Sequence, residues 1–489
     1  MRRRLSVAEF ILERMFETVS DGDLIEVMGE ATRDESTAIA QRLAAVAELF
    51  VRRSGDVAER EWWCVDHCDA VAAEIAAVQN ISHARAVGQV QFACALRHRL
   101  PAVARVFATG VIDFRVVSTI LSRTENVDDA LMARLDDAIA RHAPKWMKLS
   151  TPKLRDRVDQ WVSKFDPAGV RVPPNVNDNR YVDIDPAGPG KAGLSGLLNA
   201  ADGAALDGRL DALAATVCEN DPRTQQQRRA AACGAVGRGE QTLACQCGSA
   251  DCPVAAERTA LGAVVIHVLA EQATLEGTGD QPGYLPGFGI LPADSVRELA
   301  ATATLKPLAI PSGAPEPGYR PTAVTREFLR WRDLTCRWPG CDAPVGRCDI
   351  DHTVPYPGGP THASGLKHYC RTHHLIKTFY GGPGGWTDQQ LPDGTVILTA
   401  PTGHTYPTQA HGGMLFPALA QSTGELAAAP ILAEPSRYRD AMMPKRKQTR
   451  EQNRRNRITA ERRQRSELIT EEERQRQAWL ATNYQPPPF

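Results

Sequence analysis

The sequence contains no long apolar run. No stretch of the 489 residues approaches the roughly 18 consecutive apolar residues that a membrane-spanning helix requires. The chain begins MRRRLSVAEFILERMF, in which Glu9 and Glu13 interrupt the apolar residues. This beginning predicts an amphipathic helix and not a signal peptide. We therefore expect a cytoplasmic protein with no membrane partner.

Regular strand alternation is scarce in the first third of the chain. Apolar residues instead recur three and four positions apart, as in AIAQRLAAVAELFV and AVAAEIAAV, which predicts a helical domain over residues 1–165. Residues 166–320 are richer in Pro, Gly, Asn and Asp. They predict a mixed region of helices and loops, with a short strand at 180–184 and a buried strand at 261–269. The fold class we expect is mainly α and multidomain.

One helical pair has the pattern of a helix-turn-helix. In EIAAVQNISHARAVGQVQFACALRHRLP, a turn at residues 79–80 precedes a helix capped by Ser82. With His83, Arg85 and Gln89 facing outward, this second helix can enter a major groove. A plain helical hairpin within a bundle explains the same pattern, so the sequence leaves both interpretations open.

Two pairs of potential metal ligands lie near the C-terminal end, in CRWPGCDAPVGRCDIDHTVPYPGGPTHASGLKHYCRTHHLIK. Cys336 and Cys341 flank a Pro-Gly turn, and Cys370 and His373 lie three apart in a predicted helix, so each pair can converge on one point. Zinc takes four such ligands in a tetrahedron. The twelve cysteines of the chain favour reduced thiols and zinc over a disulfide framework.

A second group of residues between and beside these pairs suits phosphodiester hydrolysis. That reaction needs a base to activate water and a cation to neutralise charge on the phosphate. His352 can be the base, and Asp351 with His374 can bind a divalent ion. In a regular strand, Asp351 and His352 face opposite sides, so they converge only if the strand ends there. Pro355 and the glycines at 358–359 favour such an end.

These residues resemble a known motif. Asp351-His352, the Gly-Gly-Pro-Thr turn at 358–361 and the CRTHH segment at 370–374 resemble an HNH endonuclease motif of the ββα-metal type. The longer segments FLRWRDLTCRWPGCDAP and CDIDHTVPYPGGPTHAS resemble the mycobacterial 13E12-repeat family, which joins a domain of unknown function (number 222) to a C-terminal HNH module. The resemblance implies a metal-dependent nuclease with His352 as general base. It also implies Asp351 and His374 as ligands of a catalytic Mg²⁺, Mn²⁺ or other divalent ion. Structural zinc would be held by Cys336, Cys341, Cys370 and His373.

The sequence departs from this motif at Gly365. HNH modules have an Asn directly before the Leu that opens the helix, and that Asn braces the loop carrying the base. Gly365 offers no side-chain hydrogen bond and adds backbone freedom. A positioning defect of about 1 Å can cost on the order of 100-fold in rate. Ser364 is a possible partial substitute.

A third group of cysteines lies in the middle of the chain. Cys245, Cys247 and Cys252 fall within CQCGSADC, a spacing that lacks a fourth local ligand. Cys233 and His267 are candidates for the fourth position. A surface loop with unligated thiols explains the spacing equally well.

The last region is strongly basic, although the whole chain has a formal charge of −1. Residues 444–465 contain ten Lys and Arg against two Glu, a local charge of +8, so the rest of the chain carries −9. Such a segment attracts polyanions through counterion release, although a solvated helix or disordered tail has the same composition. The nucleic-acid-binding residues we predict are Arg330, Arg332, Lys445, Arg446, Lys447, Arg454 and Arg455.

The sequence therefore predicts five regions. After the helical domain (1–165) and the mixed region (166–320) come a small α+β nuclease module held by zinc (323–380), a β-hairpin extension (381–430) and a basic tail (431–489). The function we expect is a metal-dependent DNA endonuclease. Two alternatives remain: a DNA-binding protein with a degenerate nuclease site, and a zinc-stabilised interaction protein. The oligomeric state is not predicted.

Overall fold

The computed structural model describes residues 16, 18–55, 58–172, 180–249, 252, 267–301, 303–311, 314–426 and 440–483. The chain divides into two compact units, the first formed by Met1–Pro173 with Ala309–Phe489 and the second by Pro174–Leu308. The expected N-terminal amphipathic helix lies outside the described residues, as does most of the expected strand at 261–269.

The first part of unit 1 is helical. Its helices are α1 (Asp21–Arg53), α2 (His67–Gln79), α3 (His83–His98), α4 (Pro101–Ala108), α5 (Phe114–Arg123), α6 (Asp129–His142) and α7 (Thr151–Phe165). Side-chain oxygens of Ser20, Asp66, Ser82, Asp113 and Asp128 cap five of them by accepting backbone N–H groups. Their apolar faces share one core, in which Val103, Ile120 and Leu135 are fully buried. The prediction of a mainly helical protein is confirmed.

The predicted helix-turn-helix corresponds to α2 and α3. Asn80 ends α2 in the left-handed conformation, and Ser82 caps α3. Two of the side chains proposed to face DNA have partners within the protein: His83 Nε2 lies 3.3 Å from Asp69 Oδ1, and the amides of Gln89 and Gln79 form two hydrogen bonds of 2.9 and 3.1 Å. These contacts are those of a packed helical hairpin.

Unit 2 combines small hairpins with short helices. Its elements are β1 (Tyr181–Pro186), β2 (Ala192–Leu197), α8 (Ala200–Ala214), α9 (Gln225–Gly237), α10 (Gln272–Leu275), β3 (Gly283–Leu285), β4 (Gly289–Leu291) and α11 (Ala293–Ala300). β1 pairs antiparallel with β2, and β3 pairs antiparallel with β4. The strand expected at 180–184 is therefore present as part of β1.

The C-terminal part of unit 1 begins with α12 (Ala323–Asp333). β5 (Cys348–His352) and β6 (Leu366–Cys370) follow as an antiparallel pair, and α13 (Arg371–Phe379) starts directly after β6. β7 (Thr387–Gln390), β8 (Val396–Thr399) and β9 (Thr405–Thr408) then form an antiparallel sheet, so a third strand joins the hairpin expected at 381–430. The short helix α14 (His411–Leu415) comes next.

A 34-residue helix, α15 (Arg450–Asn483), closes the described chain. It contains no buried residue, but ion pairs connect its first half to the helical region. Arg450 donates to Asp66 and Asp69 at 2.6 Å each, and Arg462 donates to Asp166 at 2.6 Å. Within the described part of the chain, no helix is both long and apolar enough to cross a membrane.

Short 3-10 helices link several of these elements. They are Ala58–Trp62, Ala143–Trp146, Pro167–Gly169, Val345–Arg347, Ala363–Gly365, Pro417–Ala420 and Asp440–Met442. The helix Ala363–Gly365 leads straight into β6, so it sets the position of the residue that departs from the HNH motif.

Candidate active site

The four predicted zinc ligands converge. The ligand atoms of Cys336, Cys341, Cys370 and His373 all lie within 4.8 Å of one another. His373 Nδ1 is 3.2 Å from Cys370 Sγ and 3.5 Å from Cys336 Sγ, and Cys341 Sγ is 4.0 Å from Cys370 Sγ. A tetrahedral zinc ion separates neighbouring sulfur and nitrogen ligands by about 3.5–3.8 Å. The donor set and its spacing therefore fit zinc, and the cluster can hold such an ion.

Backbone geometry explains how the two pairs meet. Cys370 is the N-cap residue of α13, so His373 in the first helical turn lies beside it. The loop of the other pair turns at Gly340, whose φ of +73° favours glycine. A Cβ at that position would lie 2.4 Å from the carbonyl oxygen of Ile81, so the close approach of this loop to the α2–α3 turn also requires glycine.

Aromatic side chains surround His373 of the cluster. The imidazole of His373 stacks on Trp338 with a centroid separation of 4.8 Å, and Trp338 in turn packs against Trp386. Burial raises the pKa of the Cys336 thiol well above its usual value. Hydrogen bonds from Cys336 and Cys341 hold the pKa of Cys370 far below the usual value.

Asp351 and His374 also come together. His374 Nε2 lies 3.5 Å from Asp351 Oδ1. The other imidazole nitrogen, Nδ1, lies 2.9 Å from Oδ2 of Asp349, a residue that the sequence analysis missed. Asp349 precedes Asp351 by two positions on β5, and residues two apart share a face of a strand. That two-residue spacing was the available signal.

Two lysines accompany the carboxylates, one buried and one partly buried. Lys367 is fully buried between Asp351 at 3.1 Å and Asp388 at 2.7 Å. Lys377 also contacts both carboxylates and donates to the backbone oxygen of His352 at 2.6 Å. Burial alone would raise the pKa of Asp351, but the two ammonium groups outweigh it and hold the pKa below its usual value. Asp351 is therefore a carboxylate at neutral pH.

The side chain of His352 has different neighbours from that of Asp351. β5 ends at His352, whose Nε2 lies 3.0 Å from the hydroxyl of Thr361. Tyr319 stacks on the imidazole with a centroid separation of 5.2 Å and an interplanar angle of 16°. Burial lowers the pKa of His352, so its imidazole is neutral near pH 7. Asp351 thus contacts His374 through its side chain, whereas the side chain of His352 packs against aromatic residues.

The predicted phosphate contacts fall into two groups. Arg332 is almost fully buried and donates to the backbone oxygens of Ala363 and Leu366, so it braces the approach to β6 and exposes no surface to a phosphate. Arg446 is likewise occupied by Asp69 and by the backbone of Trp63 and Cys64.

The remaining predicted phosphate contacts are more accessible. Lys445 pairs with Glu59 at 3.0 Å, Arg454 lies between Glu125 and Glu451, and Arg455 pairs with Glu451 at 2.8 Å. Arg330 and Lys447 have exposed side chains. Half or more of each of the Lys445 and Arg455 side chains is open to solvent, so these cations can still meet a phosphate.

The third cysteine group gains a partner that the sequence analysis missed. The ligand atoms of Cys218, Cys245, Cys247 and Cys252 lie within 4.8 Å of one another. The fourth member is thus Cys218, and neither Cys233 nor His267 belongs to the cluster. Cys218 precedes Cys245 by 27 residues, with one helix between them, so local spacing gave no sign of it.

Comparison with known proteins places most of the chain in one family. The model of the family "Domain of unknown function (DUF222)" matches residues 30–333. Uncharacterized protein Rv2100 of Mycobacterium tuberculosis is 42% identical, over 94% of this chain and 92% of its own length. Uncharacterized protein Rv3776 of the same organism is 42% identical over 90% of each chain. No solved structure matches. The family match ends before Cys336, and the chain belongs to the DUF222 family.

Proposed function

We propose that this protein is a metal-dependent endonuclease of the HNH type that hydrolyses phosphodiester bonds in DNA. The observation that carries the proposal is that two ligand groups form beside the β5–β6 pair and α13, one of them completed by Cys336 and Cys341 from the loop after α12. A Cys₃His cluster lies at the start of α13, and Asp351 and His374 meet 3.5 Å apart on β5 and the same helix. Two strands followed by a helix is the order that the motif resemblance implies. The proposal assigns the protein to the cytoplasm.

His352 acts as the general base in this proposal. Its lowered pKa keeps the imidazole neutral, the form that accepts a proton from water. Thr361 donates its own proton to the backbone oxygen of Gly318 at 2.7 Å. The Thr361 oxygen therefore accepts the N–H of His352 Nε2 at 3.0 Å, which leaves the lone pair on Nδ1. Thr361 and Tyr319 hold the ring, and the water proton is taken by Nδ1.

Asp351 and His374 bind the catalytic divalent ion in this proposal. One carboxylate and one imidazole leave several coordination positions for water and phosphate oxygens, as magnesium sites usually do. Such an ion would supply positive charge against the negative charge that develops on the phosphate and the leaving oxygen. The second nitrogen of His374 is held by Asp349, which fixes the orientation of the ring. Lys377, in contact with Asp351, adds positive charge beside the phosphate position.

A plasmid-nicking assay with purified protein and Mg²⁺ or Mn²⁺ tests the proposal. We expect His352→Ala to lower the rate by about 10²–10⁴-fold, the usual contribution of a general base. His404→Ala is the matched control, because His404 is exposed and its Nδ1 contacts only Thr402 among the hydrogen bonds of the described residues. Cleavage that survives in His352→Ala, or that does not require a divalent ion, contradicts the proposal.

Gly365 favours a second candidate function, a DNA-binding protein whose nuclease site is degenerate. The backbone oxygen of Gly365 accepts the N–H of Thr353 at 2.8 Å, so the residue lies beside the base and yet offers no side chain to brace it. Ser364 does not replace the missing amide, because its hydroxyl contacts Thr423 and Gly424. DNA binding that weakens with salt, without cleavage, favours this candidate. The third possibility, a zinc-stabilised interaction protein, predicts neither activity.

A further inference from the structure

The structure contains a second cluster of four thiols, in unit 2. Cys218 lies just beyond α8, whereas Cys245, Cys247 and Cys252 lie in the loop that follows α9. We propose that these four cysteines bind a zinc ion, which joins the end of α8 to the loop after α9 and closes the α8–α9 hairpin. This site is independent of the nuclease proposal.

The sulfur positions suit a metal better than a disulfide. In a tetrahedral ZnS₄ site, Zn–S bonds of about 2.3 Å separate the sulfurs by about 3.8 Å. The four Sγ atoms lie within 4.8 Å of one another, and Cys218 Sγ and Cys245 Sγ are 3.4 Å apart. A disulfide needs about 2.05 Å between its sulfurs and would join only two of the four. A single zinc ion uses all four thiols with small shifts.

A buried carboxylate aligns the two halves of the cluster. The side chain of Asp221 is fully buried and accepts the backbone N–H of Arg223 at 3.0 Å and that of Gln246 at 2.9 Å. Arg223 in turn donates to Asp221 and to the backbone oxygen of Ala244 at 2.7 Å. These bonds fasten the turn after Cys218 to the backbone on either side of Cys245. The site is therefore braced by side chains outside the ligand set.

The hairpin has a small apolar core, beside which Arg229 of α9 pairs with Asp207 and Asp211 of α8. Its buried apolar cluster among the described residues consists of Leu213, Ala232, Ala235 and Leu243. Two leucines and two alanines form a very small core, and small folds of this kind usually need a metal, a disulfide or a partner. A structural zinc ion contributes its binding free energy directly to folding. The thiol cluster lies where that contribution is needed.

Zinc content of the purified full-length protein tests the proposal. We expect Cys218→Ser and Cys245→Ser each to lower the content by one zinc ion per chain relative to the wild type. Cys233→Ser is the matched control, since Cys233 is a half-buried thiol on α9 outside the cluster, and it should keep the wild-type content. Cys341→Ser reports on the other cluster separately. Unchanged zinc in Cys218→Ser, or zinc lost in Cys233→Ser, overturns the proposal.

Alkylation of the wild-type protein provides a test that does not depend on folding of a variant. Metal-bound thiolates react slowly, so iodoacetamide should modify Cys218, Cys245, Cys247 and Cys252 about tenfold or more slowly before a chelator is added than after. The rate at Cys233 should rise less than theirs on chelation. Equal rates with and without the chelator overturn the proposal, as does a Cys218–Cys245 disulfide in protein purified without oxygen.

Discussion

Replacement of Asp333 should destabilise the candidate nuclease module. Its carboxylate is fully buried, 2.9 Å from Arg332 Nε and 3.6 Å from Arg337 Nη1. It also accepts the backbone N–H of His368 at 3.0 Å, at the middle of β6. Arg332 continues the network to the backbone oxygens of Ala363 and Leu366. The Asp333 carboxylate therefore connects α12 to β6 and, through Arg332, to the backbone at residues 363–366.

The substitution Asp333→Asn keeps the shape of the side chain and removes its charge. Arg332 is only 1% exposed, so it loses its counterion without gaining water. Breaking a buried ion pair in this way costs about 3–5 kcal/mol. Since about 1.4 kcal/mol is a tenfold change, the opening equilibrium of the module should shift by roughly 100-fold or more. Asp342→Asn, an exposed carboxylate nearby, is the matched control and should shift it little.

Hydrogen exchange of the amides at residues 366–370 measures this shift without assuming two-state unfolding of the whole chain. Burial opposes ionisation of Asp333, but Arg332 and His368 outweigh it and hold its pKa below the usual value. A carboxyl group with a lowered pKa stabilises the fold above the ordinary value of about 3.9 and loses that effect at lower pH. The difference between wild type and variant should be constant above about pH 4. A change of less than about tenfold in exchange refutes this account.

Three further predictions concern the base, the motif position and the tail. If the neutral imidazole of His352 is the base, cleavage should be level at pH 7–8 and fall only below about pH 6.5, because burial lowers the pKa of His352. A rate still rising at pH 8 contradicts this assignment. Gly365→Asn is combined with Leu426→Ala because a Cβ at position 365 would lie 2.9 Å from a side-chain carbon of Leu426. The double variant should cleave DNA up to about 100-fold faster than Leu426→Ala alone, and no rise contradicts the bracing role of the Asn side chain. Arg450→Ala should weaken docking of the first half of α15 by about 1–2 kcal/mol, because the side chain is 35% exposed and so partly screened. Faster amide exchange at residues 450–465 in that variant, but not in Arg455→Ala, is the expected measurement.

The sequence predicted those parts of the site that depend on local spacing. Cys370 and His373 lie three residues apart at the start of one helix, so their proximity follows from helix geometry. Glycine and proline content marked the turn of Cys336 and Cys341. The convergence of the two pairs, by contrast, depends on β6 carrying Cys370 back to Cys336, whose Sγ accepts the Cys370 N–H at 3.3 Å. The metal-ligand spacing within each pair was enough to predict that the two pairs converge, but not that β6 brings them together.

Contacts between distant segments were beyond the sequence analysis for a physical reason. Cys218 joins its cluster across a helix, and Asp333 organises residues more than 30 positions later in the chain. Neither has a periodic neighbour that would reveal it, because period and spacing report only on residues within one element. Arg332 shows the opposite failure. The sequence predicts Arg332 as a nucleic-acid contact, whereas the structure buries it against the segments that Asp333 fastens together.

The basic tail has fewer cations free to bind phosphate than its composition indicates. Six of its ten basic residues form ion pairs with acidic side chains of the helical region: Lys445, Arg446, Arg450, Arg454, Arg457 and Arg462. DNA phosphates must compete with those carboxylates, and Asp66, Asp69 and Asp166 are themselves nearly buried and would lose their partners. Mainly the exposed cations can then neutralise phosphates and release the counterions condensed on DNA, so the salt dependence of DNA binding should be shallower than a charge of +8 implies. The pairs to buried carboxylates fasten α15 to the helical region, whereas the basic residues of 444–465 with exposed side chains are Lys445, Lys447, Arg455, Arg457 and Arg463.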